Sequence, residues 1–425
     1  MNTPTLKQAL SSLRLAVRRL GDRFERSGVW SPAHAMAIVL LLKMPGQSQS
    51  YRSVLALVDR LGPSLFTWPR VPSIGSMSKA RKKLTAETCR RLLHEVSAFT
   101  ARRLHQARHV WGKRRIVAID GSWFVVPRSP ETLRSFTCPR GGSKGQRSHH
   151  PRALMVMALD VLRRVPVDYV LGQKGQGERT LIKRLLDSLC PNDVVVVDRG
   201  FPSRELVGEL IARGIDFVMR VNADDATSWA EFRSFLRGKA KSAVIKLSVD
   251  NGDERFPVSV RLVERSRQRG RPRRGTKKER MVILTNLKDT DGFTREELVK
   301  VYGSRWGVET AFRELKTFMS TEPFHSKFIN GIEQELVAGL IWMALASSLE
   351  SVALDGVPEG YRVVRTDCYR YAGALLDDFM TGHYREDEFL RLVEELRRYA
   401  QKRKPDRYAE RRCDVPFGRS QKRFG

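Results

Sequence analysis

A chain of 425 residues is too long for one ordinary domain and predicts about two to four. Its 77 Lys and Arg outnumber 47 Asp and Glu by 30, while 41% of residues are hydrophobic; that content supports a packed core, excludes a disordered basic tail and points to a polyanionic partner. Five cysteines (Cys89, Cys138, Cys190, Cys368 and Cys413) stand far apart with no C-x-x-C pair, which argues against a zinc ribbon, a redox motif or a secreted disulfide framework. Met1 to Leu10 lacks the apolar run of a signal peptide. The longest apolar run, Ala35 to Leu42, falls far short of the roughly 20 residues that span a bilayer, so a reducing, cytoplasmic setting without a membrane partner is expected.

The first hundred residues read as short helices. Leu6, Leu10, Leu13, Val17 and Leu20 recur at helical spacing, with Arg14, Arg18 and Arg19 on the other face. Gly46, Gly62, Pro63, Pro69 and Pro72 punctuate the next stretch of chain. Ser73 and Ser76 are placed to cap a basic helix that carries Lys79, Arg81, Lys82 and Lys83. A basic helix after a tight turn is the shape a helix-turn-helix reader needs, so these four cations are candidate DNA contacts.

After Trp111 the pattern changes to strands. Arg115 to Gly121 is a short apolar strand ending in Asp120, and Ser122 to Pro127 continues extended. A basic, glycine-rich loop runs from Pro139 to Pro151, carrying His149 and His150. Ala153 to Val161 and Val167 to Leu171 read as strands, and Glu178 to Leu189 has helical spacing. Val194 to Val197 is a continuous apolar run ending at Asp198, the pattern of a strand buried on both faces. Ser203 caps a helix that runs to about Arg213, and Phe217 to Val221 is another strand. Together these elements predict a mixed α/β layer with helices flanking one sheet.

From Asn222 the rhythm is lost. Val244 to Val249 and Phe256 to Val263 alternate with period two, as half-exposed antiparallel strands do, and Arg265 to Arg280 is a charged loop of nearly one sign. The α/β pattern resumes with a strand at Met281 to Leu287 and a helical stretch from Thr294 to about Met319. Ile332 to Ala353 is apolar but holds Glu333, Glu335 and Glu350, hence a core helix and not a membrane span. Arg397 to Gly425 is basic again. The expected organisation is a helical DNA-binding region (1–110), a catalytic core in two parts (111–221 and 281–355), a β-rich insertion with a basic loop (222–280), and a helical basic C-terminal region (356–425).

Three acids stand out by context. Asp120 and Asp198 close neighbouring strands, and acids at the carboxyl ends of strands converge where open α/β folds place their sites. Glu309 lies in a stretch where Tyr302, Arg305, Glu309 and Lys316 sit at offsets 0, 3, 7 and 14, which share an arc of about 60° on one helix. Val308, Phe312 and Leu315 supply the apolar side. Competing acids are Asp160, Asp168 and Asp216; Asp160 reads as an edge or turn acid, and Glu314, off the stripe, as a solvated one. His149 and His150 read as exposed or near phosphate, and Trp306 as a core residue.

The combination of I-D-G at Asp120, D-R-G-F at Asp198 and the Y-x2-R-x3-E-x6-K stripe resembles the DDE transposases of bacterial insertion sequences, in the insertion-sequence-four-like group with a Y-R-E-K signature. The resemblance covers about residues 115 to 320. It implies a ribonuclease-H-like core interrupted by a β-rich insertion. It also implies divalent ions, Mg²⁺ with Mn²⁺ as a substitute, on Asp120, Asp198 and Glu309, with Tyr302, Arg305 and Lys316 near the DNA phosphates. It extends loosely to the basic N-terminal helix. The implied partners are double-stranded DNA, as terminal inverted repeats and target, and a second copy in a homodimer or larger synaptic complex; the implied setting is the bacterial nucleoid. Aromatic side chains hold a flipped base in that family, for which Trp229 and Phe232 are candidates. A metal-dependent nuclease of the same fold and a catalytically inactive DNA-binding protein are the alternatives.

Hard oxygen ligands suit Mg²⁺ and Mn²⁺, so three carboxylates without a His or Cys set form a suitable list on chemical grounds alone.

Overall fold

The run Val194–Val197 has four β-branched side chains and no polar one, so neither of its faces favours water, and it lies in the middle of a sheet with every residue buried. The computed structural model describes residues 30–45, 50–61, 73–104, 110–141, 146–224, 228–252, 254–265, 281–288, 291–317, 324–381 and 385–403. The helix expected over Leu6 to Leu20, most of the basic loop before Met281, Met319, Cys413 and the tail past Arg403 lie outside the described residues.

Eight strands build one mixed sheet: β1 (Ile116–Val125), β2 (Arg152–Asp160), β3 (Val165–Leu171), β4 (Val194–Val197), β5 (Asp216–Val221), β6 (Ser242–Asn251), β7 (Glu254–Glu264) and β8 (Val282–Thr285). Their order is β3-β2-β1-β4-β5-β8-β7-β6. The β1, β4 and β5 strands run parallel, and all other neighbours are antiparallel. This is the mixed α/β layer expected from the sequence. The hairpin expected within the insertion, β6–β7, pairs with β8 and so continues the same sheet.

Alternation along the strands separates two apolar layers. Ala118, Met155, Met157 and Val196 face one layer, whereas Val117, Ile119, Val156 and Val195 face the other. Each such fully buried valine or isoleucine contributes about 1.5–3 kcal/mol. The second layer is closed by the helices Glu178–Lys183 and Arg204–Ala212. Gly208 on the latter is obligatory for contact, because a Cβ there would stand 2.1 Å from the Asp250 carbonyl oxygen of the β6–β7 hairpin.

The first layer is closed by the 26-residue helix Ile329–Leu354 and by N-terminal helices Pro32–Leu42, Ile74–Lys83 and Ala86–Arg103. By length and hydropathy Ile329–Leu354 could cross a membrane, but it is buried within the fold, as expected of a core helix. Its Trp342 indole donates to the Leu40 carbonyl at 3.1 Å. Both of its inward acids are paired, Glu335 with Lys43 and Arg81, Glu350 with Arg365 and Arg164.

Candidate active site

The parallel register of β1 and β4 aligns Ile116 with Val194 and Ala118 with Val196, an offset of 78; two residues further on, the same offset brings Asp120 level with Asp198. The sequence predicts Asp120 at a strand end. Instead it lies inside a ten-residue strand, opposite Met157 of β2, because Gly121 to Val125 remain in the ladder with β2 after the β4 partner stops at Val197. Asp120 therefore faces the gap left by the shorter strand. Its Oδ1 accepts from the Gly121 N–H at 2.9 Å, and Asp198 Oδ1 accepts from the Arg199 N–H at 2.8 Å.

The stretch from Tyr302 to Lys316 is two helices, Arg295–Gly303 and Trp306–Thr317, not the single helix the spacing predicts. Between them the chain tightens into three-residue turns, with the Arg305 N–H on the Tyr302 carbonyl, Gly307 on Ser304 and Val308 on Arg305. The Ser304 hydroxyl donates to the Val301 carbonyl at 2.6 Å and helps to close the first helix. The four side chains converge nonetheless. Tyr302 donates its hydroxyl to Asp198 Oδ1 at 3.0 Å. Arg305 bridges two acids, with Nη1 3.3 Å from Asp120 Oδ2 and Nη2 2.6 Å from Glu309 Oε1. Lys316 Nζ donates to Ser122 Oγ at 2.8 Å and the Trp123 carbonyl at 2.7 Å. Arg220, which the sequence does not flag, adds a second cation 3.8 Å from Asp198.

Electrostatics separate the two strand acids. Burial pushes the Asp120 carboxyl above its ordinary value, and neighbouring Glu309 and Asp198 add to the rise against the pull of the Gly121 N–H and Arg305. Burial also opposes ionisation of Asp198, but the Arg199 N–H, Arg305, Tyr302 and Arg220 outweigh it and hold that carboxyl below its ordinary value. Burial, reinforced by Asp198, pushes the Tyr302 hydroxyl up to about 12, so it remains a donor at neutral pH.

Sequence reasoning misses one acid. Glu178 opens the helix Glu178–Lys183 and lies against Gly121; burial, then Asp120 and Asp198, raise its carboxyl. Its only sequence signal is its place at the start of the helical spacing from Glu178 to Leu189, which marks the helix but singles out no site acid. Among the described residues no three His, Cys, Asp or Glu side chains form a closed ion site as they stand, and Arg305 lies among the acids. The chemistry of the donor set still fits a hard divalent ion, since every candidate donor is a carboxylate oxygen, and the space a Gly121 Cβ would fill is taken by a further carboxylate, that of Glu178.

Several expectations are corrected. Arg81 is not a surface cation: it is fully buried and donates to Gln334 Oε1 at 3.1 Å, the Gly331 carbonyl at 3.0 Å and Glu335 at 2.9 Å, as well as to the Tyr51 hydroxyl. It faces inward because it falls with Met77, Ala80 and Leu84 on the packed side of its helix. Lys79, Lys82 and Lys83 are exposed. Glu314 is not solvated but buried, held by Arg164, Arg365 and Tyr369. Trp306 is not a core residue; it is 54% exposed, with the Arg305 guanidinium 5.2 Å from its ring.

The competing acids are occupied elsewhere. Asp160 is a turn acid, though a buried one, held by Arg163, while Asp168 pairs with Arg90 and Asp216 with Arg114. His149 and His150 are exposed, edge to face. Phe232 is buried, and Trp229 carries the Arg204 guanidinium 5.0 Å from its ring. Both line a cavity of about 410 Å³ with Arg179, Arg199 and Asn222.

Residues 111–345, more than half of the chain, match the family described as Transposase DDE domain. A curated relative, the transposase InsG for insertion sequence element IS4 of Escherichia coli strain K12, is 25% identical over 267 residues, 61% of this chain and 57% of the relative. The match thus spans little more than half the length of that relative. Among solved structures, the cryo-EM structure of the piggyBac transposase synaptic complex with hairpin DNA overlaps 92% of this chain and 82% of its own, at a TM-score of 0.43 and 12% identity. All six residues of the strand acids and the Tyr-Arg-Glu-Lys stripe fall inside the matched segment, and the chain belongs to the DDE-domain transposase family.

Proposed function

We propose that this protein cuts DNA at the terminal inverted repeats of its insertion sequence and joins the ends to target DNA by two-metal phosphoryl transfer. The observation that carries this reading is the convergence of Asp120, Asp198 and Glu309 with Tyr302 and Arg305, two strands and two helices meeting at one sheet edge. Asp120, Asp198 and Glu309 would hold Mg²⁺, or Mn²⁺ in its place. Bound there, the ions would lower the pKa of a water and offset charge on the phosphate oxygens.

The remaining roles fall to the chain itself. Arg305 presents a planar fork suited to bidentate capture of a phosphate, and it can exchange Asp120 and Glu309 for that phosphate when DNA arrives. Lys316, anchored on Ser122 and the Trp123 carbonyl, acts as a point charge on the same strand. Tyr302 donates its one hydroxyl proton to Asp198 and so keeps that carboxylate oriented. Lys79, Lys82 and Lys83 contact duplex backbone away from the chemistry, and the cavity beside Trp229 receives a base displaced from the transposon end. A homodimer or larger assembly meets the need to handle two ends together, and the working site is the bacterial nucleoid.

Strand transfer separates this reading from a nuclease of the same fold. Supplied with a precut terminal repeat, plasmid and Mg²⁺, the protein is expected to yield covalently joined products. Cleavage of intact ends with no joining of precut ones would identify a nuclease.

A further inference from the structure

Glu178 comes after the turn that ends β3 and reaches back over β1. A Cβ on Gly121 would stand 2.3 Å from Glu178 Oε1, and one on Gly200 would stand 3.8 Å from Oε2. Those glycines lie one residue after Asp120 and two after Asp198, so the carboxylate lies beside the two backbone segments that carry the strand acids. At Gly121 the lack of a side chain is what makes room for it. Neighbouring cations are engaged elsewhere: Arg179 donates to the Gly200 carbonyl at 2.7 Å, and Arg305 to Asp120 and Glu309. Among the described residues the Glu178 carboxylate has neither a hydrogen-bond donor nor an ion-pair partner.

An acid with no structural partner, seated against two others, is unfavourable by Coulomb repulsion unless a cation shares the space. A glycine that keeps the seat open does nothing for the strand, where it costs order. Outer carboxylates that hold metal-bound waters are a recurrent means of fixing a cation. We infer that Glu178 is a fourth carboxylate of the active site, a positioning residue that accepts a hydrogen bond from a water on the cation held by Asp120 and Asp198. This rests on the two-metal proposal for the same site.

The test is a Mn²⁺ titration of the full chain without DNA, monitored by calorimetry, for wild type, Glu178→Gln, Glu178→Asp and Asp120→Asn. Glu178→Gln is expected to weaken Mn²⁺ binding by about 10–100-fold, with Glu178→Asp intermediate. Metal-free Glu178→Gln should unfold at the same temperature as wild type or higher, because a repulsion is removed and no partner is lost. Wild-type Mn²⁺ affinity in Glu178→Gln alongside loss in Asp120→Asn would overturn this inference and leave the site reading standing. Unchanged affinity in Asp120→Asn as well would overturn the site reading itself. A lower unfolding temperature for metal-free Glu178→Gln would make Glu178 a structural residue and also overturn the inference.

Discussion

Glu309→Gln is expected to lower end cleavage by at least about 10²–10³-fold while leaving the affinity for the terminal repeat nearly unchanged. The amide keeps the shape of the side chain and can still accept from Arg305, so the geometry at the break between the two helices persists. What is lost is one of the three carboxylate charges on Asp120, Asp198 and Glu309. The side chain is about one-third exposed, and a partly exposed ion pair of this kind contributes about 0–1 kcal/mol, so the variant should fold normally. Gel analysis of strand cleavage together with a binding titration on the same duplex checks both halves. Equal cleavage by variant and wild type would remove Glu309 from the chemistry.

The second large effect concerns stability and falls on Arg81, in the helix the sequence marks for DNA. Arg81→Ala is expected to cost about 3–5 kcal/mol, because it leaves Glu335 and Gln334 buried with donors removed. Lys43 and His325 remain beside Glu335 and place the cost toward the lower end of that range. Burial alone would push the Glu335 carboxyl up; His325, Arg81 and Lys43 instead hold it well below the ordinary range. Its contribution is therefore present above the unfolded-state value and lost as pH falls through the folded one. The Arg81→Ala deficit should accordingly be largest near neutral pH and shrink in acid.

Lys82→Ala on the same helix should leave stability within about 0.5 kcal/mol of wild type. It should instead flatten the dependence of log K for DNA on log salt by about 0.9. Denaturant midpoints and a salt titration distinguish the two residues. An Arg81→Ala protein of wild-type stability that loses only DNA affinity would contradict the buried assignment.

The difference between Arg81 and Lys82 shows where the sequence stops being informative. Composition and capping mark the helix, but Arg81's partners, Gln334 and Glu335, lie about 250 residues away in a helix whose packing no local pattern records. The strands are legible because their apolar runs have no alternative, and Val194–Val197 leads directly to Asp198. Asp120 is legible as a site acid but not in its place along the strand, since only the unequal lengths of β1 and β4 put it in the gap. The Tyr-Arg-Glu-Lys spacing predicts convergence, and the side chains do converge, although the helix breaks between Gly303 and Trp306. Three-residue turns leave no trace in periodicity. Glu314 and Trp306 depart from expectation in opposite directions for one reason: helical phase gives the side of a helix, while the network of Arg164, Arg365 and Tyr369 and the exposed end near Arg305 decide which side is covered. Glu178 is legible as the start of a helix but not as a site acid; only the backbone of Gly121 beneath it reveals that place.

Metal-dependent end cleavage is tested most directly by strand cleavage with the full chain on a labelled duplex carrying the element's own terminal repeat, with Mg²⁺, Mn²⁺ or a chelator. A cut at the end of the repeat is expected with either ion, and none in chelator. Cleavage that persists in chelator, or tight binding with no cut under either ion, would contradict it.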